Sequence, residues 1–313
     1  MIGALAIQAC DPAPATADST NAAPPDSMGA IPTNISTFAT RSSRNLVENS
    51  AAAMSSRQPG VLFTINDSGN ENILYAIDTT GADRGTWRVL GSTDVDWEAT
   101  AMGPCADDAE PHCVYIGDTG DNDDTHASRV IYRVREPDAR DSAFSGELKA
   151  ERLSYSYPDA QHDVEAMYVA PNRDIYLITK RPLRGFTRQL RPALIFRLPA
   201  SAWLASTPTV AQLVDSLSLV PGSAPLRTIT DASLSPNRRH LAVRTYSQVY
   251  IYATDSATAR VDHHIAPAIC NIVSLGEPQG EGIAWANDAG RLVFSSEGHD
   301  APLHIATCPL PRS

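Results

Sequence analysis

The residues with the clearest capacity for chemistry are five carboxylates that recur in a repeated sequence pattern. Each stands second in a segment of small and apolar residues, and the five are Glu48, Glu98, Glu165, Asp231 and Glu281. If such segments surround one axis, the like charges repel, so some carboxyls must be protonated or a cation must lie among them. Oxygen ligands in a wide ring favour Ca²⁺. The pattern predicts a calcium site, and the alternative is that these acids bond backbone amides of neighbouring segments.

A second group of polar residues lies at the ends of the next β-branched runs along the chain. Its members, the candidates for ligand binding, are Asp67, Asp118, Asp121, Asn122, Lys180, Arg181, Arg244 and Glu297. The glycines among them allow tight turns that direct carboxylates back toward the axis. Basic side chains beside a cation attract a small anion such as a phosphate or a carboxylate. We therefore expect an anion-binding face next to the cation.

The cysteines indicate the compartment of the protein. Setting Cys10 aside, four cysteines remain, and an even number in an exported protein predicts two disulfides. Cys105 and Cys113 flank a short loop and are the favoured pair, which leaves Cys270 with Cys308 by elimination. The other two connectivities stay open, as does the alternative of four free thiols in a cytosolic protein.

The elements that must position these residues repeat five times along the chain. The second run of each repeat covers 61–65, 114–117, 175–179, 241–245 and 292–295, and the third covers 73–77, 130–134, 194–198, 249–252 and 303–306. More polar runs at 86–90, 148–157 and 210–220 fit outer strands with one face in water.

Repeated four-stranded units predict an all-β, five-bladed β-propeller with antiparallel blades, and six blades is the rival count. The last repeat lacks an outer strand, so residues 35–40 are expected to supply it and close the ring. Inner strands begin and second strands end on one face of such a disc. Both groups of polar residues are therefore expected to converge there.

Composition excludes several classes of protein. The chain has 313 residues with 36 acidic and 25 basic side chains, and its formal net charge of −11 argues against a nucleic-acid binder. Apolar residues make up 42%, enough for a core, while 23 prolines and 18 glycines favour turns over long helices. The sequence contains no nucleotide-binding glycine loop, nucleophile elbow or zinc-protease motif.

The N-terminus predicts export. Residues 1–10 resemble a secretory signal, and Ile7-Gln-Ala-Cys10 resembles a bacterial lipoprotein signal in which Cys10 is lipidated; a plain signal or a buried segment is the alternative. Residues 11–32 are poor in large apolar side chains, which predicts a disordered tether before a single domain at 33–313. We expect a monomer in the periplasm, anchored to the outer membrane through Cys10, or secreted.

Several strings also carry a family resemblance. Phe63–Gly69, Asp96–Ala99, Tyr115–Asn122 and Glu281–Ala284 resemble uncharacterised bacterial secreted β-propeller lipoproteins, and the last string is similar to the phytase-like, esterase-like propellers. The ring of acids resembles that of the five-bladed calcium-activated nucleotidases (apyrases). That likeness implies Ca²⁺ in the channel at the five repeated acids, and it implies no catalytic mechanism.

Three functions compete at this point. The first is an extracytoplasmic propeller with a channel cation that binds a small anionic ligand or a partner protein. The second is a metal-dependent hydrolase of phosphate esters, nucleotidase-like or phytase-like, in which Lys180, Arg181 and Arg244 hold charge and Glu98 or Asp118 orients water. The third is a glycan-active propeller, which the low aromatic content of 6% disfavours.

Overall fold

The computed structural model describes residues 29–38, 45–106, 112–123, 125–139, 145–180, 192–219 and 228–312. In chain order the strands are β1 (Thr33–Phe38), β2 (Asn49–Met54), β3 (Val61–Asn66), β4 (Ile73–Asp78), β5 (Asp83–Leu90), β6 (Trp97–Pro104), β7 (His112–Asp118), β8 (Arg129–Arg135), β9 (Ser145–Lys149), β10 (Glu151–Ser156), β11 (Val164–Val169), β12 (Ile175–Thr179), β13 (Ala193–Leu198), β14 (Thr209–Val210), β15 (Gln212–Leu217), β16 (Ile229–Leu234), β17 (His240–Thr245), β18 (Gln248–Ala253), β19 (Ala268–Asn271), β20 (Gln279–Trp285), β21 (Leu292–Glu297) and β22 (Leu303–Thr307). Two short 3₁₀ helices cover Ala200–Leu204 and Val273–Leu275. In this part of the chain, no helix is long and apolar enough to cross a membrane.

The strands of the described residues form five sheets around a central channel. From the inner strand outward, blade 1 is β2-β3-β4-β5-β9, blade 2 is β6-β7-β8-β10-β14, blade 3 is β11-β12-β13-β15, blade 4 is β16-β17-β18-β19 and blade 5 is β20-β21-β22-β1. Each inner strand contacts the inner strand of the next blade, so the ring is closed. The predicted five-bladed β-propeller is confirmed, and the rival count of six is wrong.

Apolar side chains fill the five interfaces between neighbouring blades. The three inner strands of each blade are buried on both faces, as in β3, where all six residues from Val61 to Asn66 are buried. One cluster of buried side chains lies at each interface; Phe63 of blade 1 and Ile116 of blade 2, for example, belong to the same cluster. Burial on both faces explains why these strands are continuous β-branched and aromatic runs rather than alternating ones.

Two of the outer runs are each divided between neighbouring blades, which the sequence did not predict. In the run at 210–220, β14 pairs with β10 of blade 2, whereas β15 pairs with β13 of blade 3. The polar run at 148–157 is divided at Ala150: β9 pairs parallel with β5 of blade 1, and β10 pairs antiparallel with β8 of blade 2. The backbone N–H of Ala150 donates to the Leu90 carbonyl at 3.0 Å, which holds the chain against blade 1 until the division. A single run therefore ties two blades together, which the composition of the run does not reveal.

One strand pairing and two disulfides stabilise the closed ring. β1 pairs antiparallel with β22, confirming that an N-terminal strand completes the last blade. Both predicted disulfides are confirmed: Cys105–Cys113 joins the ends of β6 and β7, and Cys270–Cys308 links blade 4 to blade 5. Of the predicted tether, Ala30 forms a bridge with Cys270, whereas residues 1–28, including Cys10, lie outside the described residues.

Candidate functional site

A β-bulge at the start of every inner strand defines one end of the channel, here called the mouth. In each blade the pairing of the inner strand with the second strand skips one residue. The skipped residues are Ser50, Glu98, Glu165, Thr230 and Glu281. A bulge leaves its extra residue unpaired and changes the direction of its side chain. The mouth therefore carries three carboxylates and two hydroxyls at equivalent positions.

The other two repeated acids lie elsewhere. Glu48 is exposed and precedes β2, and its Oε2 accepts a hydrogen bond from Asn70 Nδ2 at 2.6 Å. Asp231 follows the bulge residue of blade 4 instead of occupying the bulge. The aligned sequence segments are thus displaced relative to the structural repeat in blades 1 and 4, where Ser50 and Thr230 take the equivalent positions.

Asp231 lies fully buried and joins three blades through its carboxylate. Its Oδ2 accepts the backbone N–H of Ile283 in blade 5 at 2.8 Å and that of Ala52 in blade 1 at 3.2 Å, and its Oδ1 accepts the N–H of Ala232 at 2.7 Å. Burial raises the pKa of Asp231 well above its usual range. Asp231 therefore bonds backbone amides of neighbouring blades, which is the alternative to metal binding that the sequence left open.

Three carboxylates at the mouth come together in a way that fits a metal ion. Asp67, Asp96 and Glu98 each offer an oxygen within 4.8 Å of the others. Asp67 directly follows β3 of blade 1, Asp96 directly precedes β6 of blade 2, and Glu98 is the bulge residue of β6. This group, the acid triad, is an all-oxygen donor set of the kind that Ca²⁺ prefers.

A glycine and a buried ion pair shape the acid triad. A Cβ at Gly120 would lie 2.5 Å from Asp96 Oδ2 and 2.7 Å from Glu98 Cγ, so only glycine leaves room for both side chains. Asp118 accepts the backbone N–H of Asp96 at 3.0 Å and pairs with Arg129 at 3.2 Å, and both members of this pair are buried. Asp118 therefore fixes the backbone of Asp96 without being a member of the acid triad.

Electrostatics at the acid triad favour a bound cation. Burial raises the pKa of Asp96 to about 6, and the charge of Asp67 adds to the effect. Burial, followed by the charges of Glu165 and Asp67, raises the pKa of Glu98 well above its usual range. A divalent cation among these groups would remove the mutual repulsion that disfavours their ionised forms.

Lys180 is a fixed cation on the neighbouring blade. Its Nζ lies 2.6 Å from Glu165 Oε1 and 3.5 Å from Asp163 Oδ2, and it donates to Asn122 Oδ1 at 3.2 Å. Burial alone would lower the pKa of Lys180, but the charges of Glu165 and Asp163 raise this pKa above its usual value. Lys180 stays protonated and neutralises part of the acid charge at the mouth.

Glu281 faces these groups from blade 5. Its Oε1 accepts from the Tyr246 hydroxyl at 2.8 Å and from Gln279 Nε2 at 3.0 Å, and Gln279 also donates to Glu297 at 2.8 Å. The Oε2 of Glu281 is buried and has no hydrogen-bond partner among the described residues. Burial raises the pKa of Glu281 to about 7.

The remaining predicted ligand-binding residues serve the scaffold or lie outside the description. Arg244 is fully buried, pairs with Glu277 and donates to the Gly282 carbonyl at 2.6 Å, so it lies between blades 4 and 5. Asp121 accepts the backbone N–H groups of Thr125 and His126 at 2.8 and 3.0 Å. Arg181 is outside the described residues.

Sequence reasoning missed Asp96, Gly120 and the two hydroxyl bulge residues, Ser50 and Thr230. The available signal for Asp96 was the alternation Asp-Val-Asp-Trp-Glu from position 94 to 98, which places carboxylates on one side of the chain as β6 begins. For the hydroxyl residues no comparable signal exists, because the bulges are visible only in the strand pairing.

Comparisons with known proteins find only distant similarities. No family model matches the chain, and no curated protein matches its sequence. Solved structures with similar folds include the PQQ-bound aldose sugar dehydrogenase of Streptomyces coelicolor (12% identity, TM-score 0.46, covering 88% of this chain and 99% of that one). Others are the glutaminyl cyclase of Myxococcus xanthus (11%, 0.47, 88% and 95%) and the calcium-binding protein regucalcin of Agrobacterium tumefaciens (12%, 0.43, 91% and 99%). All are too distant to transfer a function.

Proposed function

We propose that the chain is an exported calcium-binding β-propeller that binds a small anionic ligand at its mouth through the bound Ca²⁺. The observation that carries the proposal is the acid triad, whose three oxygens lie within 4.8 Å of one another in a partly buried setting. Oxygen-only donors fit Ca²⁺ better than zinc, and the half-buried Asp67 and Asp96 leave room for water and ligand oxygens to complete its coordination.

The anion must depend on the metal. Among the described residues at the mouth, carboxylates outnumber bases, and Lys180 is already paired with Glu165. An anion approaching this face without a cation would meet a repulsive potential. With Ca²⁺ in the acid triad and Lys180 on the next blade, two positive centres become available for phosphate or carboxylate oxygens.

Export is supported by the covalent structure. Two disulfides are typical of oxidising compartments, and neither is expected to persist in a reducing cytosol. We propose a periplasmic or secreted location, with membrane contact only through a lipid at Cys10.

A metal-dependent phosphoesterase is the second candidate. The observation that favours it is Glu281, whose unpartnered buried Oε2 lies at the same channel level as Glu98. A carboxyl so placed is suited to exchange a proton with water near a metal-bound phosphate. Release of phosphate from p-nitrophenyl phosphate, abolished by EDTA and by Glu281→Gln, is the result that this candidate requires.

Calorimetric titration with Ca²⁺ tests the main proposal. We expect one site in the wild type, at least tenfold weaker binding in Asp96→Asn, and wild-type affinity in Asp300→Asn. Asp300 is a matched control because it is exposed, loses the same charge, and has a φ of 55° that asparagine tolerates. Equal Ca²⁺ affinity in all three proteins would refute the site.

The anion is tested separately, with inorganic phosphate as the probe. We expect phosphate to bind in saturating Ca²⁺ and not in EDTA, and Lys180→Met to weaken that binding. Phosphate binding in EDTA, or its absence when Ca²⁺ is bound, would contradict the anion-binding part of the proposal.

A further inference from the structure

A second cavity lies at the end of the channel opposite the mouth. It has a volume of about 170 Å³ and is lined by the second halves of all five inner strands. Its apolar wall includes Met54, Met102, Met167 and Trp285, and its rim includes Arg238. We call it the lower cavity.

The lower cavity is separate from the acid triad. None of Asp67, Asp96 and Glu98 lines it. Asp231, whose carboxylate accepts backbone N–H groups from Ala52 and Ile283, does not line it either. A ligand in the lower cavity would therefore be independent of a metal at the mouth.

The wall of the lower cavity suits a small apolar group. A dry cavity of about 150 Å³ holds benzene in another protein, so the volume here of about 170 Å³ is sufficient for one aromatic ring. Methionine side chains adapt to the shape of a ligand and make favourable contacts with aromatic rings. Met54 and Met102 are half-buried and line the cavity.

Arg238 gives the lower cavity a chemical preference. Arg238 is exposed at the rim, and its backbone is held in a turn by bonds from its N–H to the Ser235 carbonyl and from Thr254 Oγ1 to its own carbonyl. A cationic rim above an apolar wall selects an anionic headgroup on an apolar body.

We propose that the lower cavity binds a small carboxylic acid with an aromatic or branched aliphatic body. The apolar body packs against Met102 and Trp285, and the carboxylate lies at the rim near Arg238. This site uses no residue of the acid triad and stands independently of the function proposed for the mouth.

Binding of phenylacetate, with phenylacetamide as its neutral counterpart, tests the proposal. Titrations followed by calorimetry and by ligand-observed NMR use the full chain in EDTA, so the mouth plays no part. We expect phenylacetate to bind with a dissociation constant on the order of 1 mM or tighter. Failure of both compounds to bind at concentrations well above this would overturn the proposal.

Variants then localise the binding. Met102→Trp fills the cavity and should weaken both compounds at least tenfold, whereas Leu204→Trp, at a side chain that is 88% exposed, should change neither. Arg238→Gln, on the surface, should weaken phenylacetate roughly two- to fivefold and leave phenylacetamide unchanged. Circular dichroism and thermal unfolding report whether each variant folds. Unchanged binding in folded Met102→Trp, or equal effects of Arg238→Gln on both compounds, would refute the assignment.

Discussion

Removing the charge of Glu281 should stabilise the metal-free protein at high pH. Burial raises the pKa of Glu281 to about 7, compared with 4.5 for an unperturbed glutamic acid. In Glu281→Gln the amide oxygen still accepts from Tyr246 and Gln279, and the amide nitrogen takes the place of the unpartnered Oε2. The substitution therefore removes a charge and keeps the contacts.

The sign follows from proton linkage. Because the folded state holds its proton more tightly, the stabilisation from this carboxyl is complete below pH 4.5 and is lost as the pH rises through about 7. One pKa unit corresponds to about 1.4 kcal/mol, so the full loss is about 3 kcal/mol, and coupling to the other acids at the mouth reduces it to roughly 1–3 kcal/mol. The variant should not suffer this loss.

Urea unfolding in EDTA measures the effect. We expect Glu281→Gln to equal the wild type at about pH 4.5 and to exceed it by roughly 1–3 kcal/mol at about pH 8.5. Saturating Ca²⁺ should reduce the difference, because the cation stabilises the ionised acids of the wild type. A variant that is no more stable than the wild type at about pH 8.5 would refute the claim that burial of an ionised Glu281 is costly.

Three further perturbations have defined outcomes. Asp231→Ala leaves three backbone N–H groups without acceptors and should cost roughly 2–4 kcal/mol of unfolding free energy in urea, against less than about 0.5 kcal/mol for Asp300→Asn at an exposed site; equal costs would mean that Asp231 does not join the blades. Gly120→Ala displaces the side chains of Asp96 and Glu98 and should weaken Ca²⁺ binding tenfold or more in calorimetry. An unchanged affinity would mean that these two side chains do not hold the metal. Replacing the cysteines of the Cys270–Cys308 bridge, which spans a sequence separation of 38, should cost about 4 kcal/mol, compared with about 2.5 kcal/mol for Cys105–Cys113 with its separation of 8; the reverse order would contradict the loop-entropy account.

The sequence was sufficient for the fold because each blade repeats the same hydrophobic pattern. Runs such as Val61–Ile65 are almost entirely apolar because neighbouring blades cover both of their faces, and that pattern is readable without coordinates. The division of the run at Ala150 between two blades was not readable, since both halves are equally polar and the partner of each strand is set by the curvature of the ring.

The candidate site was only partly predictable, for a geometrical reason. Glu98, Glu165 and Glu281 were identified because an acid at a repeated position is a strong signal. The bulge residue of blade 4 is Thr230, however, one position before Asp231. In the sequence Asp231 looks equivalent to the three glutamates, but its buried carboxylate bonds backbone amides. Asp96 joins the acid triad from outside the repeat, and a search for repeated positions cannot find it.

Anomalous diffraction from crystals soaked in a lanthanide substitute for Ca²⁺ shows whether Asp67, Asp96 and Glu98 hold a cation. We expect one strong peak at the mouth, about 2.3–2.6 Å from oxygens of all three carboxylates, and its loss in Asp96→Asn crystals. A peak located elsewhere in the channel, or persisting unchanged in Asp96→Asn, would contradict this expectation.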